Sequence, residues 1–283
     1  MKKILILPFF PIIALFCSCN NEAADVITTS NDSLTVVALN GSRSLAIGAS
    51  TAWNAKSSDS WCTLSDSTGV SNKSITLKCQ DNITGIPREA KITIQANKQT
   101  KTVVVSQSCG TTLLDEGFAN NSKGWTQPLD SVANVVDNGV LSIINTAKNY
   151  YYFIGVKSLI PEFTGSYMIS TDYKVISGTA PFGLVFGAKD PSNYYRLLIF
   201  PSGGFTVYQI SNAVYTAIKS EATAFVKSEN KIRIVKILTN CSVYLNDHRI
   251  ADFDYSKPYG SYVGFFSCPQ TDIEVDYLKI NKF

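Results

Sequence analysis

Three patterns of apolar and polar positions succeed one another along the 283 residues. Behind Lys2 and Lys3, Ile4 to Phe16 is unbroken apolar sequence. Residues 20–33 are small and polar, with Asn20, Asn21, Thr28, Thr29, Ser30, Asn31, Asp32 and Ser33. From Leu34 onward apolar side chains recur at alternate positions, as in Ile75, Leu77 and Cys79, and again in Ile92 and Ile94. A period of two belongs to a strand with one buried face. Strands are predicted near residues 35–39, 43–47, 51–55, 61–65, 75–79, 90–95 and 102–107. After a short joint at Gly110-Thr111-Thr112, a hairpin over 136–143 turns at Asn138-Gly139, a pair suited to a primed turn. Further strands are predicted near 150–156, 167–175, 182–187, 194–200, 205–210, 231–237, 242–246, 262–266 and 273–280. Val, Ile, Thr, Tyr and Phe dominate these stretches, and no amphipathic helix interrupts them. The expectation is an all-β chain of two successive sandwiches.

The apolar run is too short for a membrane span. Thirteen helical residues rise only about 20 Å against a hydrocarbon core of roughly 30 Å, and Pro8 and Pro11 interrupt any helix. It reads as a secretory signal over residues 1–18. The run ends in Leu15-Phe16-Cys17-Ser18-Cys19, which resembles a bacterial lipobox with small Ser18 before Cys19. That resemblance implies cleavage before Cys19, lipidation of its thiol and a membrane contact through the N-terminal lipid. Each buried CH2 of such a chain contributes about 0.8 kcal/mol. Asn20, where an aspartate is absent, implies by the same resemblance an outer-membrane location, with surface exposure. Residues 19–33 are expected to be a flexible tether, with order beginning near Leu34.

Seven short strands between residues 34 and 110 suggest an immunoglobulin-like sandwich. Within it, Trp53 opens a strand and Trp61 follows in Asp59-Ser60-Trp61-Cys62-Thr63-Leu64-Ser65. Then come Gly69, Ile75-Thr76-Leu77, Asn82, Arg88-Glu89-Ala90-Lys91-Ile92-Thr93-Ile94 and Val103-Val104-Val105-Ser106-Gln107. That order resembles the BACON family, a module named as Bacteroidetes-associated and carbohydrate-binding. Cys62 departs from the pattern, where a larger aliphatic is usual. The resemblance implies a rigid spacer carrying a following domain, with Trp53 and Trp61 as core residues.

Residues 111–283 carry more than ten predicted strands, which suggests two packed sheets, a jelly roll. Phe118 with Trp125, Asn138-Gly139-Val140-Leu141, Gly183-Leu184-Val185-Phe186-Gly187 and Asn193-Tyr194-Tyr195 follow in order. Asn230-Lys231-Ile232-Arg233-Ile234, Val243-Tyr244-Leu245-Asn246, Val263-Gly264-Phe265 and Asp276-Tyr277-Leu278-Lys279-Ile280 complete the series. This order resembles concanavalin A-like and laminin G-like domains, and implies their fold more than any one activity.

Charge excludes one class of partner. Removing residues 1–18 deletes Lys2 and Lys3 and no acid, so the full chain's +3 falls to +1. There is no basic run, and nucleic acid is not an expected partner. Of seven cysteines, five remain once Cys17 is cleaved off and Cys19 acylated, an odd number. Cys62 and Cys79 both point inward from strands of one sandwich; they form either a disulfide or two buried free thiols. Cys241 with Cys268 is a second, less supported pairing.

His248 is the only histidine and sits in Asn246-Asp247-His248-Arg249, expected to be a hairpin turn. A His-based triad and a multi-His metal site are therefore excluded, and neither a metal nor a cofactor is expected. Glycosidases need two carboxylates at controlled separation. Asp272, Glu274 and Asp276 alternate on the last strand and share one face, which makes them the weak catalytic alternative. Tyrosine is the stronger clue, since aromatic faces stack on the apolar faces of sugar rings. Tyr194 and Arg196 share one strand face, while Tyr195, Leu197 and Ile199 share the other and should meet the core. Tyr151, Tyr194, Arg196 and Tyr208 are the expected ligand-binding residues, lining a concave sheet; the competing reading has them fill a sandwich. Asp32-Ser33-Leu34, Asp66-Ser67-Thr68 and Asp130-Ser131-Val132 match a bacterial O-glycosylation triplet. Three functions follow: a surface lipoprotein binding a poly- or oligosaccharide beside other glycan-utilisation proteins, a glycoside hydrolase or lyase, or a structural or protein-interaction lipoprotein.

Overall fold

The computed structural model describes residues 26–125, 132–149, 151–155, 165–256 and 258–283. It is all-β: an immunoglobulin-like sandwich followed by a jelly roll. Cys19 and the expected signal over residues 1–18 lie outside the described residues.

The first sandwich has a four-stranded sheet, in the order Ile27–Thr29, Ser42–Ala49, Lys73–Cys79 and Cys62–Leu64. Its five-stranded partner runs Ser33–Val36, Gln99–Gln107, Arg88–Ala96, Trp53–Ser57 and Thr68–Gly69. All pairings are antiparallel except Ser33–Val36 with Gln99–Gln107, which is parallel. The alternation works as expected, and Leu45, Ile47, Ile75, Leu77, Ile92, Ile94, Val103 and Val105 fill the space between the sheets. Trp53 is buried among them and donates its Nε1–H to the Ser71 carbonyl at 2.8 Å. Trp61 differs from expectation. It is only partly buried at the core's margin, and the Arg88 guanidinium lies 4.4 Å from its ring centre.

Residues 27–29, expected to belong to a flexible tether, form a strand. Ile27–Thr29 pairs with Ile47 to Ala49 because Ile27 has an apolar core to pack against. Strand pairing therefore begins before Leu34.

The second sandwich holds a six-stranded and an eight-stranded sheet. The six run Tyr152–Gly155, Tyr262–Ser267, Phe182–Asp190, Asn193–Phe200, Gly204–Ser211 and Val214–Ala222. Seven of the eight run Val132–Asp137, Val140–Asn145, Thr271–Lys282, Tyr167–Ser177, Glu229–Ile237, Asn240–Leu245 and His248–Asp254. The last strand, 12 residues long, carries Val140–Asn145 along its first half and Thr111–Glu116 along its second. Phe118, Trp125, Tyr173, Phe182, Phe186, Tyr195, Leu197 and Ile199 lie in the core between these sheets. Asn138 and Gly139 both take positive φ, 50° and 82°, the primed turn that their sequence favours.

In the second sandwich three strands escape the sequence pattern: Thr111–Glu116, Val214–Ala222 and His248–Asp254. Val214–Ala222 is an edge strand with no buried residue, so it shows no alternation to read. His248 does not sit in the turn. Asn246 and Asp247 make it, with φ of 50° and 67°, and His248 opens the next strand, its ring stacked 3.8 Å from that of Phe225.

Candidate functional site

The six-stranded sheet has two faces of different character. Tyr195, Leu197, Ile199, Phe205 and Val207 point into the core. The opposite positions point outward, and strand register sets them in rungs. One rung reads Gly155, Gly264, Val185, Arg196, Tyr208 and Ala217 across all six strands. Its neighbour reads Phe153, Phe266, Gly183, Leu198, Thr206 and Ser220. On the other side lie Tyr194, Ile210 and Tyr215.

Arg196 is the centre of this face. Its guanidinium carbon lies 4.1 Å from the Phe266 ring centre, 5.2 Å from that of Tyr208 and 5.4 Å from that of Tyr215. Each is within cation–π range. Arg196 is only 8% exposed and its Nε–H meets no acceptor. Tyr151 stacks on Phe266, ring centres 5.5 Å apart. So the candidate residues Tyr151, Arg196 and Tyr208 form one chain of contacts, Tyr151 to Phe266, Phe266 to Arg196 and Arg196 to Tyr208. Tyr194 lies beside them but is 7% exposed, and burial, reinforced by a hydrogen bond with Tyr215, pushes its phenol well above the ordinary value. It packs within the outer-face cluster and is itself covered. Three rings on this face are exposed, Tyr151 at 60%, Phe153 at 41% and Tyr215 at 55%, and the two tyrosines lie on opposite flanks of Arg196.

Sequence reasoning missed Phe266 and Tyr215. The signal for Phe266 was present: Val263 and Phe265 alternate into the core, which sends Gly264 and Phe266 outward. A side chain at Gly264 would come within 2.3 Å of the Ile154 carbonyl, so the sheet itself requires a bare position beside Arg196's rung neighbour Val185. Tyr215 lies on the edge strand that carries no alternation.

Asp272, Glu274 and Asp276 do face outward from the eight-stranded sheet, with Ile273 and Val275 buried between them. Glu274 and Asp276 line an open pocket of about 390 Å³ with Asp172, Glu229, Lys174 and Lys231. Asp172 accepts from the Tyr277 hydroxyl at 2.9 Å, and burial raises its carboxyl above the ordinary value. Lys174 pairs with Glu229 at 3.7 Å. Asp272 is not among the residues lining this pocket.

The five described cysteines are free thiols and all are buried. Cys62 and Cys79 are register partners with sulfurs 3.5 Å apart, and burial pushes the Cys62 thiol up to about 12. Cys241 and Cys268 are kept apart. Cys241 packs between the sheets, whereas Cys268 lies with Phe266 on the outer face of the six-stranded sheet. Of the glycosylation triplets, Ser33 and Ser67 are exposed, and Asp130 and Ser131 lie outside the described residues.

Residues 51–108 match the family described as "BACON: Putative binding domain, N-terminal". No curated protein matches the chain. Among solved structures, a Bacillus subtilis protein of unknown function with a galectin-like fold is similar at a TM-score of 0.50 and 13% identity, covering 61% of this chain and 96% of that one. The Bacillus subtilis carbohydrate-binding module CBM66 is 15% identical over 57% of this chain and 98% of its own, with a TM-score of 0.41. A Bacteroides ovatus GH5 xyloglucanase, solved with a XXXG heptasaccharide, is 18% identical with a TM-score of 0.30. That match covers 36% of this chain and 23% of the enzyme, under a quarter of its length. The first likeness shows a galectin-like jelly-roll fold.

Proposed function

We propose that this chain is a lipid-anchored surface protein that binds a poly- or oligosaccharide through the outer face of its six-stranded sheet, with the first sandwich as a spacer. One observation carries the reading: two exposed tyrosines flank a buried arginine seated on Phe266 and Tyr208. Rings of that kind stack on sugars, and a charged donor between them orients hydroxyl or acidic groups. Screening the protein on a glycan array tests it. Binding that Tyr151→Ala and Tyr215→Ala each weaken on the order of tenfold is the expected result, since an aromatic contact of this type is worth about 1–1.5 kcal/mol. No saccharide bound at millimolar concentration overturns the reading.

The anchor rests on Cys19 behind its charged and apolar leader. Metabolic labelling with a clickable fatty acid should mark the wild-type chain and leave Cys19→Ala unlabelled and released from the membrane fraction. An unlabelled, soluble wild-type chain removes the anchor from the proposal.

A further inference from the structure

Arg196 stands apart from the other four arginines. Arg43 donates to the Ser42 carbonyl, Arg88 to Gln107 and the Gln80 carbonyl, Arg233 to Asp247 and Arg249 to Asp252. Arg196 has no such partner among the described residues, and none of their ion pairs includes it. Yet it is more than nine-tenths buried. Nor do the rungs around it offer a counter-ion: their outward positions carry glycine, aliphatic, aromatic or hydroxyl side chains and not one carboxylate.

A guanidinium taken out of water normally recovers the loss through a paired acid. Nearby rings recover only part of it, because an aromatic ring attracts the charge without accepting the N–H donors as a carboxylate does. The five N–H donors point along its edges, in a fork whose spacing matches the two oxygens of a carboxylate. A neutral hydroxyl can accept from only one prong of that fork. An anion from outside would supply such a partner, and the flanking Tyr151 and Tyr215 would favour one attached to a ring with an apolar face.

We propose that the ligand is an acidic saccharide, a glycan containing uronic acid, whose carboxylate takes the terminal Nη donors of Arg196, which unlike Nε are not shut off from the surface, while its pyranose ring lies against an exposed tyrosine. This deepens the glycan-binding reading and rests on it.

The test is calorimetric titration of the full chain with uronic-acid oligosaccharides of pectic, alginate and hyaluronan type. Each is compared with the same oligosaccharide methyl-esterified at its carboxyls. The acid form of at least one should bind on the order of tenfold more tightly than its ester, as a charge-assisted two-pronged bond exceeds a neutral one. Arg196→Gln should bring acid and ester to similar affinity, and Arg196→Lys should keep only part of the difference, since a point charge lacks the fork. Tyr215→Ala, at an exposed position, should weaken acid and ester alike. Equal affinity of acid and ester for the wild-type chain overturns the proposal while leaving glycan binding standing. So does an acid preference that survives Arg196→Gln. Binding of neither form, with neutral glycans also failing on the array, overturns both readings together. Should Arg196→Gln not fold, the wild-type comparison of acid and ester decides alone.

Discussion

Glu116 shows how much one buried side chain can organise. Its Oε1 accepts from the Phe118 N–H at 2.8 Å, and its Oε2 from Trp125 Nε1 at 3.0 Å and Lys123 Nζ at 3.1 Å. Phe118 has a positive φ of 51°, and its ring meets Trp125 edge-on at 5.5 Å. The carboxylate thus fixes the bend that drops both rings into the core. Glu116→Ala leaves two buried donors without an acceptor and should lower stability by about 2–4 kcal/mol, seen as an earlier urea midpoint at unchanged slope. A midpoint equal to wild type would remove that role. The sequence showed Phe118 and Trp125 as a spaced pair, but nothing in it tied Glu116 to either, because the bond depends on a local turn. Arg196 was legible for the opposite reason. On a strand, alternate positions reveal the face without any knowledge of the turn.

At the scale of elements, legibility followed burial. The strands Lys73–Cys79 and Arg88–Ala96 bury every second residue, and their alternation placed them directly. Ile27–Thr29 has one apolar residue in a polar neighbourhood, too little signal to separate it from a spacer. The edge strand Val214–Ala222 is held by backbone pairing to Gly204–Ser211, and backbone bonds leave no trace in residue type. Its loss from the prediction mattered, because it carries Tyr215. The register of Asn193–Phe200, by contrast, followed from the sequence: with Tyr195, Leu197 and Ile199 inward, Tyr194 and Arg196 must lie outward, since a slip of one residue would exchange the faces. For the next strand the sequence left the choice of face open; in the structure Phe205 and Val207 turn inward, and the register sets Tyr208 beside Arg196.

For the whole molecule, buried acids set a limit in alkali. Burial raises the Cys268 thiol from 9.0 to about 11, the Cys62 thiol from 9.0 to about 12 and the Tyr195 phenol from 10.0 to about 12. Between the ordinary and the raised values, the unfolded chain gives up these protons and the folded chain keeps them. Stability is then full below about pH 9 and falls as pH climbs towards 12. Thermal unfolding followed from pH 8 to 11.5 should show a falling midpoint; a midpoint flat to pH 11.5 contradicts it. The two sandwiches meet at a close joint. Asn281 is fully buried and donates to Thr112 Oγ1 at 3.2 Å, beside Cys109, and a side chain at Gly110 would fall 2.3 Å from the Lys282 carbonyl. The last strand therefore reaches back to the point where the second sandwich begins, and its two edges together hold Thr111–Glu116, Val140–Asn145 and Tyr167–Ser177. A chain made from its N-terminus can close the first sandwich once Gln107 has emerged, since all nine of its strands lie before that residue. The second must wait for its final dozen residues, and until they arrive three strands have an unoccupied edge in common. The greatest vulnerability of this protein thus falls during its own synthesis, when a half-made sheet needs shelter from its neighbours.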